Sequence, residues 1–220
     1  MRGPLLRQAL WRRWFGVVTL GEIVGFSVPA LVAAAVVQSD GSIAQAAAVV
    51  AAGVAEGAIL GLAQAYVLRS ALPCVPTVSW VSATAAGAAV AWTIGSVPIV
   101  LGDRFLELPP LLLALFGVVL LGSMGGLQWL VLRARMPGMA WWVAATAGAW
   151  LAALGAFMAL TMPLWQEGQP AWLIAAIGIL GGLVMAATVA ALTGLAFLRL
   201  VRLSRTTHLE VVNPVFRIDE

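Results

Sequence analysis

Long apolar stretches alternate with short polar segments along the whole chain. Six of these stretches are near or above the ~20 residues that a helix needs to cross the hydrocarbon core of a bilayer. They run over residues 15–37, 43–68, 79–101, 108–132, 141–164 and 171–198. Because lipid offers no water, each stretch must satisfy its own backbone hydrogen bonds, as a helix does. The pattern predicts an all-α integral membrane protein with six transmembrane helices.

Two markers within these stretches recur about every sixty-five residues. An aromatic residue precedes a threonine by four positions at Phe15/Thr19, Trp80/Thr84 and Trp142/Thr146. An arginine closes the second, fourth and sixth stretches at Arg69, Arg133 and Arg199. The threonines are 65 and 62 positions apart, and the arginines 64 and 66. A shared period indicates an internal repeat, here three tandem two-helix repeats.

The repeat predicts both an arrangement and a division of the chain. Each copy crosses the membrane twice, so successive copies enter in the same orientation, and we expect a pseudo-threefold axis normal to the membrane. The predicted segments are a basic N-terminus over residues 1–14, repeats over 15–69, 70–133 and 134–203, and a tail over 204–220. The tail contains apolar residues that could dock on a partner, although chain ends are usually disordered.

The arginines indicate the orientation of the helices. Every basic residue is an arginine, and eleven of the twelve precede the first stretch, follow an even-numbered stretch or lie in the tail. The positive-inside rule then predicts that both termini are cytoplasmic. Aromatic belts are expected at both interfaces. We assign Trp11, Trp14, Trp80, Trp141 and Trp142 to the cytoplasmic belt, and Trp165 and Trp172 to the outer one.

Composition narrows the classes of function. The chain is 62% hydrophobic and 10% charged, against ~25% charged in soluble domains. Its arginines are dispersed among helix ends, so no nucleic-acid partner is expected. The one histidine, His208, lies in the tail, and lysine is absent, which excludes a histidine-based metal site and a Walker phosphate loop. We predict neither enzyme activity nor a cofactor.

The N-terminus allows a second interpretation. Arg12 and Arg13 with the following aromatic residues are similar to the core of a twin-arginine export signal. The first apolar stretch is longer than the apolar core of a signal peptide and contains Glu22. These features favour a retained first helix.

Small residues recur on the even-numbered helices, eleven and eight positions before each closing arginine. They are Ala58 and Gly61, Gly122 and Gly125, and Thr188 and Ala191. Residues three apart share one helix face, and small residues there let neighbouring backbones approach closely. We interpret them as helix-packing positions rather than as a pore-lining stripe. Pro29, Pro98 and Pro163 lie in the outer halves of the odd-numbered helices, where proline kinks a helix.

Four polar residues within the predicted spans are candidates for function: Glu22, Glu56, Gln64 and Gln128. Gln64 and Gln128 each precede the closing arginine by five positions. Glutamines at that depth can hydrogen-bond across helices. Their recurrence in two repeats favours a structural role, although a pseudosymmetric site could use both.

Glu22 and Glu56 interrupt the repeat. At ~1.5 Å per residue, Glu22 lies about 12 Å from Trp14 and Glu56 about 20 Å from Arg69, which argues against a direct carboxylate pair. The same rise places Ser27 and Thr93 near Glu56 as polar neighbours. We expect both acids to face the bundle interior and to be largely protonated. Each either binds a proton, cation or basic ligand, or forms a hydrogen bond between helices.

The sequence also shows a limited resemblance to other proteins. The segment WWVAATAG over 141–148, with GGLQWLVLR over 125–133 before it, resembles a group of poorly characterised bacterial multi-pass membrane proteins that repeat such hairpins. The resemblance implies a bacterial inner-membrane location and a six-helix fold, with no activity. Three tandem hairpins are similar in outline to mitochondrial carriers, but the acidic-basic motif that follows a proline in those carriers is absent here.

Two functions are consistent with these patterns. The first is a non-catalytic membrane scaffold or subunit that holds lipid, a membrane protein partner or a second copy of itself. The second is a small solute or ion transporter, or a substrate-binding subunit, that uses Glu22 or Glu56. The scarcity of intramembrane polar residues favours the first function. A water-filled cavity that reaches either acid would favour the second.

Overall fold

Helices form all the secondary structure in a computed structural model that describes residues 3–36 and 43–212. Their bounds are α1 Gly3–Val36, α2 Ile43–Ala71, α3 Thr77–Gly95, α4 Val97–Leu101, α5 Pro110–Arg133, α6 Trp141–Leu164 and α7 Ala171–Val212. A short 3-10 helix, Gly102–Glu107, follows α4. Within this described part, six helical spans are long and apolar enough to cross a membrane. The prediction of a six-span, all-helical membrane protein is confirmed at this level.

The spanning helices form a closed ring in chain order. Each helix packs on the next in the order α1, α2, α3, α5, α6 and α7, and α7 returns to pack on α1. Glycines bring neighbouring backbones close together. A Cβ on Gly57 would lie 2.9 Å from the Cα of Ala85 in α3, and one on Gly87 would lie 2.5 Å from the Cα of Met124 in α5. Helices in lipid associate largely through such close van der Waals packing.

Three tryptophans assigned to an aromatic belt instead lie inside the ring. Trp14 and Trp80 are 0% exposed and Trp142 is 1% exposed. They are in the core because their indole N–H groups find protein acceptors there, as a buried tryptophan requires. By contrast, Trp165 and Trp172 at the opposite end are 56% and 70% exposed.

The three prolines differ in their effects on the backbone. Pro29 and Pro163 lie within α1 and α6. The third span is interrupted at Ser96, whose backbone N–H donates to the Trp92 carbonyl oxygen at 2.9 Å, and Pro98 lies in the first turn of α4. Proline suits that position because the first N–H groups of a helix have no intrahelical partner. Pro98 therefore begins a helix rather than kinking one.

The helices extend beyond the predicted spans at both ends of the chain. α1 begins at Gly3, within the predicted basic N-terminus, and α7 continues to Val212. The described part of the predicted tail is therefore helical. Residues 37–42, which include Asp40, and the last residues of the predicted tail, 213–220, lie outside the described residues.

We predict that Gly87→Ala destabilises the ring, by about 1–3 kcal/mol as in other overpacked cores, because the new methyl group would overlap the backbone of Met124. Gly148→Ala is the matched control, since a Cβ there meets nothing within 4 Å. Alanine also favours a helix by up to about 1 kcal/mol over glycine. Thermal unfolding followed by tryptophan fluorescence in mild detergent measures both variants. Equal melting temperatures would contradict close α3–α5 packing.

Candidate functional site

A buried hydrogen-bond network fills the ring interior near the helix ends that carry the closing arginines, here called the arginine-rich end. Trp80 Nε1 donates to Gln64 Oε1 at 3.0 Å, and Trp142 Nε1 donates to Gln128 Oε1 at 3.0 Å. Gln128 Nε2 donates to Gln64 Oε1 at 2.9 Å and to Thr84 Oγ1 at 3.0 Å. The structure thus brings the two glutamines into direct contact. We call these five residues, with Trp14 and Thr193, the tryptophan cluster.

The first and last helices meet through a related bond. Trp14 Nε1 donates to Thr193 Oγ1 at 3.1 Å, and the Trp14 ring stacks on Phe197 with 4.4 Å between centroids. Gly194 follows, at the position five before its closing arginine where the other copies carry glutamine. A Cβ on Gly194 would lie 3.0 Å from Trp11 Nε1 and 3.1 Å from Trp14 Cδ1, so the rings of Trp11 and Trp14 limit the space for a side chain there.

The aromatic residue that the repeat marker identified on α1 is Phe15, which is next to Trp14 in the sequence. Phe15 aligns with Trp80 and Trp142 when the copies are registered on their threonines, but Trp14 is the buried indole donor. If the first copy is aligned on Trp14 instead of Phe15, Val18 occupies the position of the threonine, and its side chain is 1% exposed. The capacity of an indole to donate a hydrogen bond was the signal that could have identified Trp14.

The six proposed packing residues lie in different environments. A Cβ on Gly61 would lie 3.0 Å from Val81 Cα, and one on Gly125 would lie 3.2 Å from Val143 Cα. A Cβ on Gly122 would meet nothing within 4 Å. The remaining three, Ala58, Thr188 and Ala191, are half-buried. Thr188 Oγ1 donates to the Val184 carbonyl of its own helix at 2.7 Å. The Ala191 carbonyl accepts a hydrogen bond from Trp11 Nε1 at 3.3 Å.

A cavity of about 230 Å³ lies farther from the arginine-rich end than the tryptophan cluster, and it is partly open. We call it the central cavity, because each of the six spanning helices contributes residues to its wall. Representative lining residues, one from each helix, are Phe26, Glu56, Trp92, Met124, Trp150 and Met185. Trp92 lies about 18 Å along α3 from Trp80 at the usual helical rise. The wall is mainly apolar and aromatic.

Glu56 is the ionisable residue of this wall. Its side chain is 6% exposed, and Trp92 Nε1 donates to Oε2 at 2.6 Å. The polar neighbours that the sequence suggested for Glu56 form hydrogen bonds within their own helices. Ser27 donates to the Val24 carbonyl and Thr93 to the Ala89 carbonyl. Sequence reasoning missed Trp92. The available signal was a tryptophan far from both predicted interfaces, where an indole needs a protein acceptor.

Glu22 is fully buried, and it has a different environment from Glu56. It is 0% exposed and does not line the central cavity. Neither carboxyl oxygen has a hydrogen-bond partner within the described part of the chain. One turn farther along α1, a Cβ on Gly25 would lie 3.1 Å from the Glu56 carbonyl oxygen. This contact places the two acids about one turn apart along the α1–α2 interface, and the Glu22 oxygens form no hydrogen bond with Glu56.

Comparisons with known proteins add no relative to this description: no family model, curated protein or solved structure matches the chain. Within residues 3–36 and 43–212, no three histidine, cysteine, aspartate or glutamate residues come together as a metal site would require. The candidate site is therefore defined by the geometry of the cavity and its acid.

Gln128 on α5 bonds to residues of α2, α3 and α6 within the tryptophan cluster, so we predict that Gln128→Met destabilises the protein. The change removes three hydrogen bonds and leaves the buried Trp142 N–H without its acceptor. An unpaired buried donor costs about 1–3 kcal/mol. The control is Gln166→Met, at an exposed position between α6 and α7. Melting temperatures of the two variants in detergent test this, and an unchanged melting temperature for Gln128→Met would show that the cluster contributes nothing to stability.

Proposed function

We propose that this multi-pass membrane protein is non-catalytic and that it binds a small lipophilic cation in the central cavity, as a transporter or substrate-binding subunit. Glu56 is the anchoring group. The observation that carries the proposal is an acid in the wall of a cavity to which all six spanning helices contribute. A scaffold requires no such cavity, so this geometry favours the second of the two functions consistent with the sequence.

The contact between Glu56 and Trp92 supports a positively charged ligand. Trp92 Nε1 donates to Glu56 Oε2 at 2.6 Å, and an N–H donor forms its strongest hydrogen bonds with an ionised acceptor. An ionised carboxylate in hydrocarbon requires a partner. The helices supply no lysine or arginine at this depth, since their arginines lie at the ends of the spans. A cation in the cavity would provide the missing charge.

The remaining wall indicates the size and character of the ligand. A dry cavity of about 150 Å³ is sufficient to bind benzene, so about 230 Å³ accommodates a ring with a small substituent. Phe26, Trp92 and Trp150 present aromatic surfaces, and aromatic faces attract cations within about 6 Å of their centroids. An aromatic or alkyl ammonium compound combines the required charge with apolar surface.

The proposal includes the architecture and its place in the cell. We propose three tandem repeats about a pseudo-threefold axis, in a bacterial cytoplasmic membrane, with both termini in the cytoplasm. The analogous bonds of Trp80 to Gln64 and of Trp142 to Gln128 support the repeats. The arginine distribution supports the orientation. On this orientation the cavity lies in the half of the membrane that faces away from the cytoplasm.

Benzyltrimethylammonium is a suitable probe, because it pairs a phenyl ring with a fixed positive charge. We predict that purified protein binds it and that Glu56→Gln weakens binding by about 2–5 kcal/mol, as expected for one partner of a buried charge pair. That is at least about 30-fold in Kd. Protons compete for the same carboxylate, so affinity falls as pH is lowered. Isothermal titration calorimetry in detergent measures both effects.

Two controls accompany this experiment. Glu107→Gln makes the same chemical change at an exposed position and should leave binding unchanged. Neopentylbenzene, in which carbon replaces the quaternary nitrogen, should not displace the probe. Equal affinity of wild type and Glu56→Gln, or displacement by the neutral analogue, would disprove cation recognition by Glu56.

The proposed orientation is testable with the native cysteine. Cys74 is exposed between α2 and α3, on the side proposed to be cytoplasmic. We predict that an impermeant thiol reagent leaves it unlabelled in intact cells and labels it after permeabilisation. In a Cys74→Ser background, Glu167→Cys between α6 and α7 should react in intact cells. The reverse labelling pattern would invert the topology.

A further inference from the structure

Two arginines converge on one tyrosine at the arginine-rich end of the α1–α2 hairpin. The guanidinium carbons of Arg13 and Arg69 lie 4.9 and 4.7 Å from the centroid of the Tyr66 ring. Arg13 Nη1 also donates to Ser70 Oγ at 3.5 Å. The two positive charges are therefore closer than about one Debye length, ~10 Å at 0.1 M salt, and they repel each other. We call these four residues the arginine–tyrosine site.

No carboxylate balances the two charges among the side chains that the structure describes. Glu22 lies nine residues from Arg13 along α1, about 14 Å at the usual helical rise, and Glu56 is farther still from Arg69. The other described acids belong to connections at the opposite end of the ring: Asp103, Glu107 and Glu167. A pair of neighbouring cations without an acid is electrostatically complementary to an anion.

The guanidinium groups have donors available for such an anion. A guanidinium that stacks on a ring uses its face, whereas its five N–H donors lie in its plane. The bond to Ser70 is the one hydrogen bond that Arg13 or Arg69 donates through its side chain within the described residues. Arginine binds phosphate oxygens through pairs of such donors. The site therefore suits a phosphate group.

Exposed leucines adjoin the site on the side of the hydrocarbon core. On α2, Leu62 is 55% exposed and lies one turn before Tyr66, on the same face of the helix. On α1, Leu20 is 62% exposed and lies two turns after Arg13, again on one face. A Cβ on Gly16, between them, would meet nothing within 4 Å. Cations beside an open apolar surface match a phosphate head group with its acyl chains.

We propose that the arginine–tyrosine site binds the phosphate of an anionic phospholipid, in the leaflet at the arginine-rich end. Both guanidinium groups donate to the phosphate oxygens, and the acyl chains pack on the exposed leucines. Basic residues near a membrane attract anionic lipids in general, and this site adds two donors held over one ring. A zwitterionic lipid fits less well, because its ammonium group would lie close to two arginines. The site lies apart from the central cavity, so it does not rest on the proposed function.

The first repeat differs from the other two at this site. Arg13 precedes the aromatic residue of its marker by two positions, and the corresponding residues in the other copies are Val78 and Ala140. Arg133 lies over the Trp129 ring at 5.1 Å, without a second guanidinium among the described side chains. In the ring, α3 separates its helix, α5, from α2. Arg133 therefore provides a matched control, with the same charge and a similar stacking contact but no partner arginine.

Binding of phosphatidylglycerol to the purified full chain tests the site. Native mass spectrometry counts the bound lipid in ammonium acetate at ~0.15 M, where charges more than ~8 Å apart are largely screened. We expect wild type to prefer phosphatidylglycerol to phosphatidylcholine with the same acyl chains. Replacing both Arg13→Gln and Arg69→Gln should weaken phosphatidylglycerol binding by about 30-fold, about fivefold for each arginine. Arg133→Gln should bind it as wild type does.

Three outcomes of this experiment would overturn the proposal. Equal affinity for the two lipids would show that the site does not distinguish their net charge. An equal loss of affinity in Arg133→Gln and in the double variant would show a general attraction to the arginine-rich end. Displacement of the lipid by inorganic phosphate at the same concentration would assign the site to free phosphate instead of a lipid.

A further variant separates geometry from charge. Tyr66→Leu keeps every charge and removes the ring over which the two guanidinium groups lie. We expect weaker phosphatidylglycerol binding, because the arginines are then no longer held together. Affinity equal to that of wild type would overturn the role of this arrangement.

A second measurement uses wild type and serves if the variants do not fold. Phenylglyoxal reacts with guanidinium groups, and peptide mass spectrometry locates the modified arginines. Phosphatidylglycerol should slow the modification of Arg13 and Arg69 and leave that of Arg133, which is also exposed, unchanged. Equal protection of all three arginines, or of none, would overturn the proposal.

Discussion

A tryptophan buried within a bilayer cannot donate its indole N–H to water, so the acceptor must come from the protein. Trp14, Trp80 and Trp142 each find that acceptor on a neighbouring helix. A side-chain bond between two helices fixes how each is rotated about its own axis. The glycine contacts, the burial of Glu22 and the shape of the cavity all depend on that rotation, because a rotated helix would present different residues to the ring interior.

The cavity follows from a difference in side-chain volume along the ring. Near the arginine-rich end, three indoles and two glutamines fill the interior. Farther along α3, the lining residues Ala88, Ala91 and Gly95 are small, so the same ring of helices encloses empty space. Glu56 and Trp92 reach this space as a bonded pair. One helical framework thus contains both a tightly packed core and the central cavity.

Features that depend on the position of a residue along a helix were predicted from the sequence. The direction in which a side chain points around the helix was not. Length and apolarity located six spans, and the recurring spacing of Gln64 and Gln128 indicated bonds between helices. The same reasoning assigned Trp80 and Trp142 to an interfacial belt, because depth in the membrane does not show whether a ring faces lipid or protein. The hydrogen bond between Glu56 and Trp92 links two helices, and the wall of the cavity is built from residues of six. Such geometry depends on how all the helices pack together.

The contact between Trp14 and Thr193 has a consequence for biosynthesis. These residues are 179 positions apart, and chains are synthesised from the N-terminus. During insertion, the Trp14 indole N–H therefore lacks its acceptor, Thr193 Oγ1, until α7 has left the ribosome and entered the bilayer. The hairpin of α1 and α2 can form early, since Gly21 and Gly25 already pack against α2. The ring can close only after α7 has entered the membrane, so the central cavity forms at that stage and in no shorter nascent chain.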